Sequence, residues 1–490
     1  MSQALWILLV IVGYFVVWLA ISYFSSKGAD NSTFFSGNRK MPWPLVAVAM
    51  IGAPITGVTF VSVPGMVVSK GFSYLQMGLG FIVGYLIIAF VLIPIYYRLN
   101  IISIYEFLQK RFGQTSYKTG AWLFFISKII GISIRFLIIC AMLQLLVFDP
   151  LGIPYVFSVI TGLLLIWLST FKGGVKSVIW GDTLKSVCLL ATIALCLYFI
   201  VQNLQIPLAE LPGKIMADER SRIFFFDDPS DAKFFWKQFI AGIFIVVAMT
   251  GLDQDMMQRS LSCRNASDAR KNLITGSIMQ VLVISLLLVL GTVLMSFIEA
   301  HGMDVPEKTD NLFAAVAFHN EMPVVVGTLF VLGIVAATCT SVGSALTAMT
   351  TTVTIDILEA DSSGSRESLS SKRKWIHFLI CLAMGILVMC FYYINNNDAI
   401  STVYALISYT DGPILGLFLF GIFTKRSLND RWLPVVCLLA PVLSWLTQWG
   451  ARSFFAYEIS FELLVFNAAF TFMGLTLLSA LSSKRVIAAA

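Results

Sequence analysis

Gly52-Ala53-Pro54-Ile55-Thr56-Gly57 sits in the middle of an apolar run of membrane-spanning length, residues 43–68. Pro54 has no N–H to donate and its ring clashes with the carbonyl four residues back, so a regular helix cannot pass through. Backbone carbonyls freed at that depth have no water to satisfy them and must face protein, a cavity or an ion. A second stretch, Ala337-Thr338-Cys339-Thr340-Ser341, sets adjacent hydroxyls inside another apolar span, residues 322–357. Gly52 and Ile55 lie one turn apart, and Ala337 is one turn before Thr340 and Ser341. If the two spans touch, three carbonyls and two hydroxyls make an uncharged cage for sodium, a hard cation that unwound carbonyls are known to hold in membrane transporters.

The rest of the chain supplies the setting. Of 490 residues, 58% are hydrophobic and 12% charged, about half the charged share of roughly 25% in soluble domains. The chain therefore reads as an all-α integral membrane protein. Its net charge of +6 is spread over loops and not gathered into a tail that would bind nucleic acid. The eight cysteines lie mostly in apolar runs without metal-ligand spacing, which makes them small buried hydrophobes and not disulfides or zinc ligands. The first run, residues 4–25, is too long for a signal-peptide core and lacks a basic leader, so it is expected to be a retained span.

At about 20 apolar residues per crossing, the sequence predicts about 13 transmembrane helices. They fall near 4–25, 43–68, 72–97, 119–148, 153–171, 180–202, 235–254, 272–299, 322–357, 375–395, 399–424, 432–450 and 462–482. Lys and Arg crowd the loops on one side, among them Lys27, Arg39, Lys40, Lys110, Arg111, Arg259, Arg264, Arg270 and Arg373. The positive-inside rule then puts the N-terminus outside and the C-terminus in the cytoplasm of a cell (inner) membrane. The outer loop 203–234 and the Ser-rich inner segment 359–374, read as a flexible hinge, are too small to be further domains.

A single unit of residues 1–490 is expected: a peripheral first helix and loop (1–40), a five-span repeat (43–202), an inverted second repeat (235–424) and two peripheral helices with a tail (432–490). Five is odd, so equivalent repeats must be inverted. Their equivalence rests on paired interruptions, Gly52 with Pro54 in the second span and Met249-Thr250-Gly251-Leu252-Asp253 in the seventh, a pattern that marks midplane sites in secondary transporters.

Three charged residues in the spans carry further readings. Asp182, in Gly181-Asp182-Thr183-Leu184-Lys185, either serves a second sodium site or is neutralised by Lys185 on the same helix face. Arg135 lies deep in the fourth span, one face with Lys128, and its planar fork suits a carboxylate. Around it Thr56, Thr59, Tyr74 and Gln76 offer groups that donate and accept, as a polyhydroxylated or zwitterionic solute needs. The three histidines, His301, His319 and His377, are read at loops or span edges, which favours sodium over a histidine proton relay.

Four stretches in order, Tyr105-Glu106-Phe107-Leu108-Gln109-Lys110-Arg111-Phe112, Gly173-Gly174-Val175-Lys176-Ser177-Val178-Ile179-Trp180-Gly181-Asp182, Asp253-Gln254-Asp255-Met256-Met257-Gln258-Arg259 and Thr354-Ile355-Asp356-Ile357, resemble the sodium:solute symporter family over nearly the whole length. The resemblance implies a leucine-transporter-like fold with two inverted five-helix repeats and discontinuous helices, and Na+ at Gly52, Ile55, Ala337, Thr340 and Ser341. Some members use an aspartate matching Asp182 for a second sodium, with hydroxyls matching Thr340, Gly343 and Ser344; Gly343 lacks that oxygen here. In similar sialic acid transporters an arginine matching Arg135 holds the substrate carboxylate, whereas a glutamine they use matches Gly78.

The expected function is sodium-driven symport of a small polar solute, an organic anion or sugar acid, by alternating access, with sodium, the solute and membrane lipid as partners of a monomer. A transporter-like sensor acting through a partner protein is the alternative. No HExxH, GxSxG or acid–base cluster points to an enzyme.

Overall fold

The computed structural model describes residues 3–488 except 145–147, 230, 360–365, 395–396, 456–458 and 460–461. Among these residues all named elements are helical, and Met41 and Cys263 make an isolated bridge. The longer helices are α1 (Gln3–Ser25), α2 (Trp43–Gly52), α3 (Gly57–Lys70), α4 (Tyr74–Ile87), α5 (Gln114–Leu143), α6 (Tyr155–Thr170), α7 (Val175–Asn203), α8 (Phe235–Val246), α9 (Gln254–Leu261), α10 (Ala266–Ala300), α11 (Val324–Thr351), α12 (Arg366–Ile394), α13 (Asn397–Phe423), α14 (Leu433–Phe455) and α15 (Glu462–Ala488).

Nine helices among the described residues are long and apolar enough to cross a membrane, or ten if α8 and α9 form one bent span. That count does not reach the thirteen expected. Interruption is one reason: α2 is a short half-helix, and α3 runs on through Leu99 as one 43-residue stretch. α6 and Tyr409–Phe423 of α13 are also short.

The first interruption falls where Pro54 requires it. Ala53 N–H still reaches the Ala49 carbonyl at 3.0 Å, Ile55 N–H closes a turn on the Gly52 carbonyl at 3.0 Å, and the helix restarts at Gly57. Thr56 caps α3 from an extended conformation, with Thr59 completing a reciprocal capping box. Gly52 has a packing reason to be glycine, since an added Cβ would lie 2.6 Å from Ser186 Oγ on α7. The second interruption follows α8 through a π-helical turn, Val247–Gly251, after which the chain bends by 69° into α9. Asp253 caps α9 by accepting from Met256 N–H.

Both breaks surround a buried centre. α7 packs against α2 and α11, α10 against α2 and α3, and α11 also against α3 and α5. In α11 78% of the apolar window is buried, against 22% in α14, which separates a central span from a peripheral one.

Two sequence expectations change here. Residues 360–365 of the Ser-rich segment lie outside the described residues, while Arg366 onward is the start of α12, with Arg373 4.2 Å above the Phe34 ring. His377 is not at an edge: it is buried in α12, with ring nitrogens 3.0 Å from Thr170 Oγ1 and 2.8 Å from Thr350 Oγ1. The loop 203–234 is held by Arg220, paired with Asp218 at 2.6 Å and Glu299 at 2.7 Å. Hydrogen bonding from Arg220 holds the Asp218 carboxyl below the usual carboxylate range.

Candidate ion and solute site

Thr340 and Ser341 stand on α11 with their hydroxyls turned along the helix, Thr340 donating to the Ala336 carbonyl at 2.9 Å and Ser341 to Ala337 at 2.8 Å. Such back-bonding uses the proton and leaves the oxygen lone pairs facing outward, as a cation requires. At Ser341 a cation is already present. Lys185 Nζ, fully buried on α7, donates to Ser341 Oγ at 2.9 Å. The same lysine stem passes Gly52, with Cδ and Cε 3.5 Å from the position of an added Cβ. The neighbouring Ser186 Oγ accepts from Gly52 N–H at 3.0 Å and lies 2.8 Å from the Val48 carbonyl. Gly52 and Ser341 are thus brought to one side chain of α7, while α3 packs against α11 directly.

Asp182 has a different partner from either one expected. Its Oδ2 pairs with Arg259 Nε at 2.8 Å, both residues being almost fully buried. Arg259 Nη1 also pairs with Asp255 Oδ1 at 2.9 Å, and Lys128 Nζ bridges Asp255 Oδ2 at 2.9 Å and Asp253 Oδ2 at 2.7 Å. The residues expected at a second sodium, Asp182, Thr340 and Ser344, have these protein partners. Asp182 Oδ2 is on the Arg259 guanidinium, Thr340 donates to the Ala336 carbonyl, and Ser344 Oγ donates to the Ser341 carbonyl at 3.0 Å. Arg259 stands in the stretch Asp253–Arg259, but nothing local indicates that it reaches a residue 77 positions away.

Residues of the third and fourth resembling stretches bond to the segment just before the first. Gln254 accepts from Ile104 N–H at 2.9 Å, and Asp356 accepts from Ser103 Oγ at 2.7 Å and from Tyr117 OH at 2.9 Å. Gln258 Nε2 donates to the Phe35 carbonyl at 2.6 Å and to Thr351 Oγ1 at 2.9 Å. Hydrogen bonds between buried polar groups help fix the arrangement of the helices carrying them.

On the solute side, Arg135 is half-buried on α5 and has no ion pair or hydrogen bond among the described residues. Lys128, two turns away, is committed to Asp253 and Asp255. Thr56 and Thr59, both half-buried, form the N-terminal cap of α3, which packs against α5. Tyr74 is half-buried with its ring edge-on to Phe81 at 6.2 Å. Gln76, also expected to line the pocket, bonds to the outer loop. It is fully buried, with Nε2 donating to the Lys233 carbonyl at 2.8 Å and Oε1 accepting from Phe225 N–H at 3.1 Å, so it pins the outer loop.

The sequence profile of the sodium:solute symporter family matches residues 34–431, a stretch that takes in both breaks, the Asp182–Arg259 network and α11. The chain belongs to the sodium:solute symporter family. It is a multi-pass membrane protein and a sodium-driven secondary transporter of a small organic solute, with Na+ as coupling ion. The sodium/sialic acid symporter NanT of Aliivibrio fischeri is 25% identical over 459 residues, covering 90% of this chain and 88% of that one. SiaT of Proteus mirabilis, also a sodium/sialic acid symporter, is 23% identical over 438 residues, covering 85% and 84%. A solved substrate-bound, outward-open Na+-coupled sialic acid symporter shares the fold, with a TM-score of 0.83 at 20% identity and 98% coverage of both chains. These relatives are transporters and not enzymes, and the sensor alternative is not favoured.

Proposed function

We propose that this symporter carries a carboxylate-bearing solute, of the class of sialic acids and other sugar acids, into the cell with sodium. The observation that carries the reading is Arg135: a guanidinium on a deep span, half-buried and without a protein anion on its fork, is costly unless it serves a ligand. Its planar donors match a carboxylate bidentately. The N-terminal end of α3, capped by Thr56 and Thr59, adds a favourable dipole for an anion. That the NanT and SiaT relatives are named for sialic acid agrees with this chemistry.

Sodium is proposed to bind at the carbonyls of Gly52, Ile55 and Ala337 with the hydroxyls of Thr340 and Ser341, in a leucine-transporter-like arrangement of thirteen spans and inverted repeats with the C-terminus in the cytoplasm. The ion joins the broken span to α11 and favours the state in which the solute pocket is complete; coupling is that difference in affinity between states. One Na+ moving with one carboxylate carries no net charge, so the sodium concentration gradient supplies the driving force; any charge moved beyond that pair would add about 2.3 kcal/mol per 100 mV.

The test is a thermal-shift panel of sialic acid, other sugar acids and uncharged sugars on the purified protein, followed by uptake into sealed liposomes under a sodium gradient. Acids are expected to stabilise the protein, and Arg135→Ala to weaken the best of them at least thirtyfold. Full affinity for an acid in Arg135→Ala, or stabilisation by uncharged sugars alone, refutes the assignment.

A further inference from the structure

We propose that Lys185 is a tethered cation that competes with the transported sodium, resting on Ser341 and moving to Asp182 when the ion enters the cage. The inference deepens the cage assignment made above and rests on it. Lys185 is fully buried, and its ammonium lies 2.9 Å from Ser341 Oγ, one of the proposed ion ligands. A sodium ion coordinated by the same oxygen would stand within a few ångströms of that ammonium in a site shielded from water, where like charges repel strongly. Both cannot remain.

A second place for the lysine is already built. Asp182 precedes Lys185 by three residues on α7 and so shares its helix face. One carboxylate oxygen, Oδ2, is on Arg259, but Oδ1 is buried and accepts no hydrogen bond among the described residues. A buried carboxylate oxygen without a donor is costly. The four-carbon lysine stem is flexible enough to carry its ammonium from Ser341 to Oδ1 by side-chain rotation. The surrounding charges permit either position, because Asp182, Asp253, Asp255 and Asp411 balance Lys128, Arg135, Arg259 and Lys185.

Two consequences follow for the ion cycle. Sodium affinity is set partly by the work of moving the lysine, which keeps binding weak enough for release. Ion entry also adds positive charge at Asp182, which is joined through Arg259 to Asp255 and Lys128, so occupancy of the cage is felt by the network that packs α9 against α5 and α7.

The experiment reads sodium alone, without solute, on the purified full-length protein. Binding of radiolabelled sodium and sodium-dependent thermal stabilisation are titrated at constant ionic strength with potassium as the replacement. Lys185→Met keeps the stem and removes the charge, and its half-saturating sodium concentration is expected to fall at least tenfold; Lys185→Arg keeps the charge and should bind sodium no more tightly than the unaltered protein. Sodium binding by the unaltered protein with no tightening in Lys185→Met overturns the inference and leaves the cage standing. No sodium response in either protein overturns the cage and the inference together. Should Lys185→Met fail to fold, a structure of the unaltered protein at saturating sodium decides: Nζ on Asp182 supports the inference, and Nζ still on Ser341 overturns it.

Discussion

Gly52→Ala is the smallest change that tests the geometry at the first break. The added methyl would lie 2.6 Å from Ser186 Oγ and 3.5 Å from the Lys185 stem. The lysine contact is ordinary, but the serine contact is not, so Ser186 must move. Its hydroxyl accepts from Gly52 N–H at 3.0 Å and approaches the Val48 carbonyl at 2.8 Å, so moving it strains both bonds. Overpacking of a tight core costs about 1–3 kcal/mol, and one lost hydrogen bond adds about 0.5–1.5 kcal/mol. Their sum, about 1.5–4.5 kcal/mol, should lower the melting temperature of the detergent-purified protein and weaken sodium binding, since the displaced serine adjoins Lys185. The stringent check is the second variant. Ser186→Ala alone should destabilise mildly by leaving Gly52 N–H unpartnered, yet in the Gly52→Ala background it removes the colliding atom and should restore more than half of the loss, a coupling of at least about 1 kcal/mol. If Gly52→Ala melts with the parent protein, or Ser186→Ala adds to its defect, the close approach of α2 and α7 is refuted.

Ser341→Ala should weaken the sodium dependence of uptake by about tenfold or more, as expected for loss of a hydrogen bond or contact to a charge, and lower the melting temperature as well, since Lys185 loses its acceptor; unaltered sodium dependence would count against the cage. Arg259→Met leaves Asp182 buried without its guanidinium, a loss of about 3–5 kcal/mol, and Asp182→Asn added to it should recover much of the stability. Melting curves of the single and double variants check this, and a double variant no better than Arg259→Met would sink the pairing. Together with the Arg135→Ala affinity measurement, these changes separate the ion site, the buried network and the solute site.

The membrane class, the two broken helices and the family were legible in the sequence because they are written locally. Apolar runs of spanning length need no partner to be recognised, and Pro54 interrupts a helix whatever surrounds it. The membrane-span count was less secure, because a broken span leaves halves that are individually too short, as α2 is. Arg135 was found as a charge out of place, a signal that also needs no tertiary knowledge.

Partner choice was different. Spacing alone offered Lys185 to Asp182, but the fold gave Asp182 to Arg259 and turned Lys185 to Ser341. Nothing near Gln76 in the sequence shows that its amide bonds to the outer loop at Lys233 and Phe225. The sequence by itself determined where the backbone must break and which chemical groups lie within the membrane, since both depend on covalent geometry and transfer from water. Only the tertiary structure decided which buried charge meets which, because at α7 those choices depend on helix rotation and packing distances set jointly by α2, α9 and α11.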